Sequence, residues 1–292
     1  MKTVVENIND MANEIQAKLH ELLLAHSEIY EWNRNSPDDS VVVISAHGNY
    51  AYQKLSEEGR QLQSWLLENY RRFYVLLRVL LREQPKDVIK TLSKDNNVIE
   101  RTIEQQHTWS NTVEEALKRA IDSLNEELNL LTSLYSAAEG NIILIPDINA
   151  LLHNPMLEKW SFNEFPKFEI ILTPTLLSEL DGLKINHRNE AIRQKTETLI
   201  NQIKEYRRRG NIFQGVNLVK DVSTIKTLAV EPKMEDTLPW LESTNNDDRM
   251  LASVVEVMRI YPRSIVAFVT RDINAQNKAE YAQIPYIEPP TP

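Results

Sequence analysis

Apolar residues recur at helical spacing through the first half of this chain and in short, unbroken β-branched runs through the second, so the two halves predict different architectures. Met11, Ile15, Leu19, Leu22, Leu23 and Ile29 predict a first helix, ended by the turn cluster Ser36-Pro37-Asp38-Asp39-Ser40. Val41-Val42-Val43-Ile44 is a short β-like run inside this helical context. A second helix is predicted from Tyr50 to Arg82 on Leu55, Leu62, Leu66, Tyr70, Phe73, Leu77, Leu80 and Leu81, and Pro85 closes it. A shorter element follows from Lys86 to about His107. The last helix of this half, Asn111 to Tyr135, carries a narrow stripe of Val113, Ala116, Leu117, Ala120, Leu124, Leu128 and Leu131, which suits a bundle or a paired helix face.

At Ala137-Ala138-Glu139-Gly140 the character changes. Ile142 to Pro146, Glu169 to Leu172 and Ile265 to Thr270 predict strands, with Val216 to Val219 a further one. Thr175 to Leu183, Asn189 to Arg209 and Asp247 to Ile260 predict helices between them. Alternation of this kind is the pattern of an α/β domain with a parallel sheet and crossover helices. Val222 to Asn246 reads as a polar, proline-containing insertion, and no internal repeat is evident. The expected organisation is an all-α domain over 1–138, serving assembly, regulation or target selection, and an α/β domain over 139–292.

Composition narrows the chemistry. The 292 residues include no cysteine, which excludes disulfides, thiolate nucleophiles and cysteine-ligated metals, so any metal must be held by oxygen or imidazole. The apolar runs fall short of the ~18 to 20 residues that span a bilayer, and the N-terminus lacks the apolar region of a secretory signal. A cytoplasmic protein without a membrane partner is expected. The net charge of −9 leaves room for a local basic groove.

Four carboxylates stand where apolar or neutral residues would be easier to bury. Asp147 and Asp272 end strand-like runs, Glu179 lies early in the helix after Thr173-Pro174, and Asp248 opens another helix, with Asn246 or Asp247 as its cap. In open α/β sheets the C-terminal ends of strands are where sites form. Converging carboxylates repel one another, and a divalent cation relieves that repulsion.

The ordered blocks Ile-Pro-Asp147-Ile-Asn149, Thr173-Pro174-x4-Glu179-Leu-Asp181, Asn246-Asp247-Asp248-Arg-Met-Leu-Ala and Thr270-Arg271-Asp272-Ile-Asn274 resemble those of the PIN-domain nucleases, particularly the subgroup joined to PhoH-type ATPases. The resemblance covers about Asn141 to Ile287. It implies a Rossmann-like α/β/α sandwich with a central parallel sheet and a Mg2+- or Mn2+-dependent endoribonuclease acting on single-stranded or structured RNA. By position, Asp147, Glu179, Asp248 and Asp272 match the family's acidic metal ligands. Asn149 and Asn274 match its supporting polar positions, with Asp247 and Asp181 as adjacent carboxylates. Pro146 departs from the family pattern, which has an apolar residue before the first Asp.

Cations near such a centre would counter its repulsion of the phosphate backbone. Lys184, Arg188, Arg193, Arg207, Arg208 and Arg209, in a stretch that also holds His187, are candidates for RNA contact, as is Arg271; a solvated helix face is the competing explanation. His153 reads as a packing or capping group. The mixed run Tyr70-Arg71-Arg72-Phe73-Tyr74 reads as core because Tyr70, Phe73 and Leu77 share a helix face. Alternatives to a housekeeping ribonuclease are a toxin or phage-defence nuclease, and a non-catalytic module that binds RNA or a protein. A homodimer through the helical domain and a regulatory protein are the further expected partners.

Overall fold

A computed structural model describes residues 2–32, 49–135, 142–186 and 188–292. The Ser36–Ser40 turn, the Val41–Ile44 run, the change of character at 137–140 and His187 lie outside the described residues. The chain divides into two compact units, one of Ile8–Ser133 and one of Leu134–Pro292 together with the residues up to Asn7.

The first unit is built on α1 (Val4–His26), α2 (Glu57–Leu80), α3 (Lys86–Ile103) and α4 (Val113–Leu134). The 3.6-residue period of their apolar positions decides what is buried: Ile15, Leu19 and Leu22 on α1, Leu66, Tyr70, Phe73 and Leu77 on α2, and Ala120, Leu124 and Leu131 on α4. Of the α4 stripe, Ala116, Leu117, Ala120, Leu124 and Leu131 are buried, and Val113 and Leu128 are half-buried. Tyr70 and Phe73 are core, as their spacing predicts, while Arg71 reaches Glu100 at 2.5 Å and Glu104 at 2.7 Å on α3.

The helices are interrupted by one β pair that the sequence pattern does not predict. β1 (Ile29–Glu31) and β2 (Tyr50–Tyr52) run antiparallel, with Tyr30 opposite Ala51. Ile29 continues the apolar spacing of α1 but belongs to β1, and α2 starts at Glu57, where the Ser56 side chain accepts from Gly59 N. A serine N-cap outweighs the apolar positions upstream of it.

The second unit is an α/β/α sandwich around a six-stranded sheet. Its elements are β3 (Ile142–Pro146), α5 (Ile148–His153), β4 (Phe168–Leu172), α6 (Pro174–Asn186), α7 (Glu190–Arg209), β5 (Val216–Val219), β6 (Ser223–Thr227), α8 (Asn246–Ile260), β7 (Ile265–Val269), α9 (Ile273–Tyr281) and β8 (Tyr286–Ile287). The strand order is β5-β6-β4-β3-β7-β8, parallel except for the β5 edge, which pairs antiparallel with β6. The near-continuous apolar runs of β3 and β7 suit their central places, covered on both faces.

β6 falls within the stretch read as an insertion. Its sequence Ser-Thr-Ile-Lys-Thr alternates, but two of its three inward positions are Ser223 and Thr227, so burial is not announced by apolar residues. The antiparallel β5 edge and this polar-faced strand complete a sheet whose centre was the predictable part.

From β3 the chain builds outward through β4 to β6, then returns to the other side of β3 with β7 and β8. The direction of winding reverses between β3 and β7, and the crevice at the C-terminal ends of those strands is where an open α/β sheet places its site. Pro146 is accommodated there. Asp147 N donates to Val269 O on β7 at 3.0 Å, so the missing N–H of Pro146 points the other way, beyond the last recorded β3–β4 pair, Leu144 with Ile170.

Leu144 lies fully buried at the middle of β3. Leu144→Ala should lower the stability of this unit by about 3 kcal/mol, read from chemical denaturation. A loss below about 1 kcal/mol would show that the sheet centre repacks freely.

Candidate active site at the β3–β7 switch point

Asp147 follows β3 and caps α5. Its Oδ1 accepts from Ala150 N at 2.7 Å, and its Oδ2 accepts from Thr270 Oγ1 at 2.5 Å. Asp272 stands three residues past the end of β7 and caps α9, with Oδ1 accepting from Asn274 N at 2.8 Å and Ala275 N at 3.1 Å. Thr270 ties the two together, because its hydroxyl also accepts from Asp272 N at 3.0 Å. Two strand ends, each leading into a helix with an aspartate cap, thus hold two carboxylates at one seam. Each helix N-terminus also favours a negative charge.

Glu179 lies on α6 and is bonded by the Asn246 side chain at the start of α8. The cap of α8 is Asn245 rather than Asn246 or Asp247: its Oδ1 accepts from Asp247 N at 2.9 Å and Asp248 N at 3.4 Å. Moving the cap by one residue sets which way each aspartate points. Asp248 is buried, with Oδ2 accepting from Glu242 N at 3.0 Å and Oδ1 bound to Lys278 Nζ of α9 at 2.6 Å.

Electrostatic coupling shows which carboxylates face one another. Burial pushes the Asp147 carboxyl up to about 6, against the bonds from Thr270 and Ala150 and with help from the charges of Asp247 and Asp272. Glu179 is raised by burial and then by Asp247 and Asp147, with the Asn246 bond and Arg249 opposing. Asp247 is raised by burial and by Asp272 and Asp248, with Lys278 opposing. Asp147, Glu179, Asp247 and Asp272 therefore form one mutually repelling set at the switch point. Among the described residues, however, no group of three or more His, Asp or Glu side chains is close enough together to hold a metal ion as they stand.

The other predicted positions distribute around this set. Asn149 and Asn274 are exposed in the first turns of α5 and α9, next to the two capping aspartates. Asp181 is exposed on α6. Arg271 Nη1 meets His153 Nδ1 at 2.7 Å, which puts this cation beside the end of β7 and gives His153 a partner. Lys184 pairs with Glu197 at 3.5 Å, Arg208 with Glu205 at 3.3 Å and Arg209 with Glu158 at 2.9 Å. Arg207, Arg208 and Arg209 close the last turn of α7, where cations complement the helix dipole. Arg188 is exposed and Arg193 half-buried.

Sequence reasoning missed Thr270, Asn245 and Lys278 as parts of this arrangement. Thr270 had a signal, since it directly follows β7 and stands two residues before Asp272; nothing marked Lys278 as the partner of the buried Asp248, because a lysine five residues into a helix is ordinarily solvated.

Residues 144–288 match the family model of the PIN domain. That match supports a PIN-type assignment of this stretch at the level of the family, and with it a nuclease-type activity in general. No curated protein matches the chain. No helix among the described residues is long and apolar enough to cross a membrane.

Proposed function

We propose that the second unit is a Mg2+- or Mn2+-dependent endoribonuclease. The observation that carries this reading is the mutual repulsion of Asp147, Glu179, Asp247 and Asp272 at the switch point of a PIN-type sheet. Carboxylates held together out of full contact with water are unfavourable unless a cation or protons compensate them. Their donors are all carboxylate oxygens, which fits a hard divalent ion that keeps several waters.

In this proposal Asp147, Glu179, Asp247 and Asp272 hold the ion, and Asp248 serves as a tie between α8 and α9. The bound ion would supply a water of lowered pKa and charge neutralisation at the phosphate. Thr270 fixes the Asp147 carboxylate, Asn246 fixes Glu179, and the Ala150, Asn274 and Ala275 N–H groups orient the two caps. Arg271, the chain neighbour of Asp272, is the first of the cations proposed for RNA contact. The block order around Asp147 and Asp248 also favours the PhoH-associated subgroup.

The test is cleavage of a labelled single-stranded oligoribonucleotide and a DNA of the same sequence, with Mg2+, with Mn2+ and with a chelator. The expected result is RNA cleavage with either metal, abolished by the chelator and restored by excess metal. Absence of cleavage under all conditions, together with no heat of divalent-ion binding in calorimetry, would sink the proposal.

A second reading, a PIN-type module that holds RNA without cutting it, is favoured by one observation: the carboxylates as placed do not form a three-donor metal site among the described residues. The same calorimetric titration separates the two.

A further inference from the structure

The segment joining α3 to α4 in the helical unit is fastened rather than looped out. Gln105 takes φ +55°, Gln106 N donates to Arg101 O at 3.0 Å, and Arg101 Nη2 donates to His107 O at 3.0 Å. Thr108 and Tyr50 exchange both main-chain bonds, at 2.9 and 3.2 Å, which docks the segment on β2. The His107 ring rests on Trp32, with centroids 4.6 Å apart.

The fastening encloses a cleft of about 120 Å³ with Tyr52, Asn97, Arg101, His107, Trp109 and Arg119 in its lining, and no lining residue is a carboxylate. By volume it holds roughly four waters, which suits one phosphate group and not a folded partner. Both guanidiniums lack an acidic partner among the described residues. Arg101 is bonded to a main-chain carbonyl, and Arg119 only reaches Ser110 Oγ at 3.5 Å. In a chain of net charge −9, where Arg71, Arg208, Arg209 and Arg249 all sit against glutamates, two such arginines at one cleft are a selective feature.

Two further observations bear on the ligand. The Tyr52 hydroxyl is buried with no hydrogen-bond partner among the described residues. Trp109 is 54% exposed, an indole left in water beside the two cations. Base stacking on an aromatic side chain next to a phosphate-binding cation is how single strands are held without regard to sequence.

We propose that this cleft is a second nucleic-acid site, in which Arg101 and Arg119 take a backbone phosphate of a single strand and Trp109 stacks the neighbouring base. The site lies wholly within the helical unit and does not rest on the metal-dependent cleavage proposed for the other one.

The test is anisotropy of a labelled single-stranded oligoribonucleotide against the full chain in chelator, where the carboxylate set of the PIN unit contributes least. Arg119→Gln should weaken binding about tenfold and flatten the logarithmic salt dependence by roughly 0.7, the value for one phosphate contact on a single strand. Trp109→Ala should weaken binding about fivefold or more with the salt slope kept. Both side chains are exposed, and circular dichroism checks that each variant folds. The readout is binding in chelator rather than cleavage, so a failure of the cleavage reading leaves this result untouched. Unchanged affinity in both variants, or displacement of the strand by a polyglutamate peptide as efficiently as by unlabelled strand, would overturn the proposal.

Discussion

Asp147→Asn and Asp247→Asn should each reduce metal-dependent RNA cleavage by roughly a thousandfold, about 4 kcal/mol of transition-state stabilisation, and leave the fold intact. Asparagine at position 147 keeps an oxygen for Ala150 N and places an NH2 donor towards the Thr270 hydroxyl, which can accept as well as donate, so the α5 cap survives while the charge is lost. At position 247 the substitution removes a carboxylate that burial and Asp272 make unfavourable in the absence of metal. Thermal stability without metal should therefore hold or rise. Asp248→Asn should behave in the opposite way. It breaks the 2.6 Å pairing with Lys278 and leaves that ammonium partly buried without its partner, at a cost of about 2 to 4 kcal/mol. Cleavage per folded molecule should stay within about tenfold of the parent, because any effect of Asp248 on rate would act through the placement of α8 and α9. Steady-state rates and denaturation midpoints on the three variants decide the matter. If Asp248→Asn loses cleavage at unchanged stability while Asp247→Asn keeps it, the roles of the two neighbours are reversed.

Why that pair could not be resolved in the sequence follows from helix geometry. Adjacent residues on a helix point about 100° apart, so one of Asp247 and Asp248 faces the crevice and its neighbour does not. Which one depends on where the helix begins. Asn245, Asn246 and Asp247 are all good caps by residue type, and the choice of Asn245 is made by the chain's approach from Leu241 and Glu242, whose main-chain N–H is then available to Asp248. Asp147 and Asp272 were legible for a different reason. Asp147 directly follows an apolar strand of five residues and Asp272 stands three residues past the end of another, so neither their places nor their roles as caps depend on a fine choice of register.

The fold shows the same division between strong local signals and tertiary ones. β3, β4 and β7 are recognisable because central strands must be apolar on both faces. β6 pairs with β4 along five residues, yet it fills part of its inner face with Ser223 and Thr227, whose burial only the packing reveals. β1 and β2 are three residues each, too short for a period to appear, and are fixed by each other and by the Tyr50–Thr108 bridge. Thr270 joins two aspartates 125 residues apart in sequence, Asp147 and Asp272, which no local pattern could suggest.

The helical unit should lose stability as pH rises from about 4.5 to about 8, and Glu127→Gln should abolish that loss. Glu127 of α4 is fully buried, with Oε1 accepting from Tyr70 OH at 3.1 Å and Oε2 without a partner among the described residues. Burial pushes its carboxyl up to about 8 from an ordinary 4.5, the Tyr70 bond opposing and the Asp95 charge reinforcing the shift. The folded state thus keeps a proton that the unfolded state releases. Below about pH 4.5 both states are protonated and nothing is lost. Between the two values the unfolded state binds fewer protons, so folding free energy falls with each unit of pH, and above about 8 the loss is complete. A shift of this size corresponds to as much as about 5 kcal/mol, a large share of what holds a unit of this size together. Glu127→Gln keeps the shape and an oxygen for Tyr70 but removes the titration. It should be neutral within about 1 kcal/mol at pH 5 and more stable than the parent by about 3 kcal/mol or more at pH 8. Hydrogen exchange followed on peptides from α2 and α4 in the full chain reads this unit separately from the sheet. Parallel pH profiles in parent and variant would mean that Glu127 is ionised in the folded bundle and has found a compensating partner there.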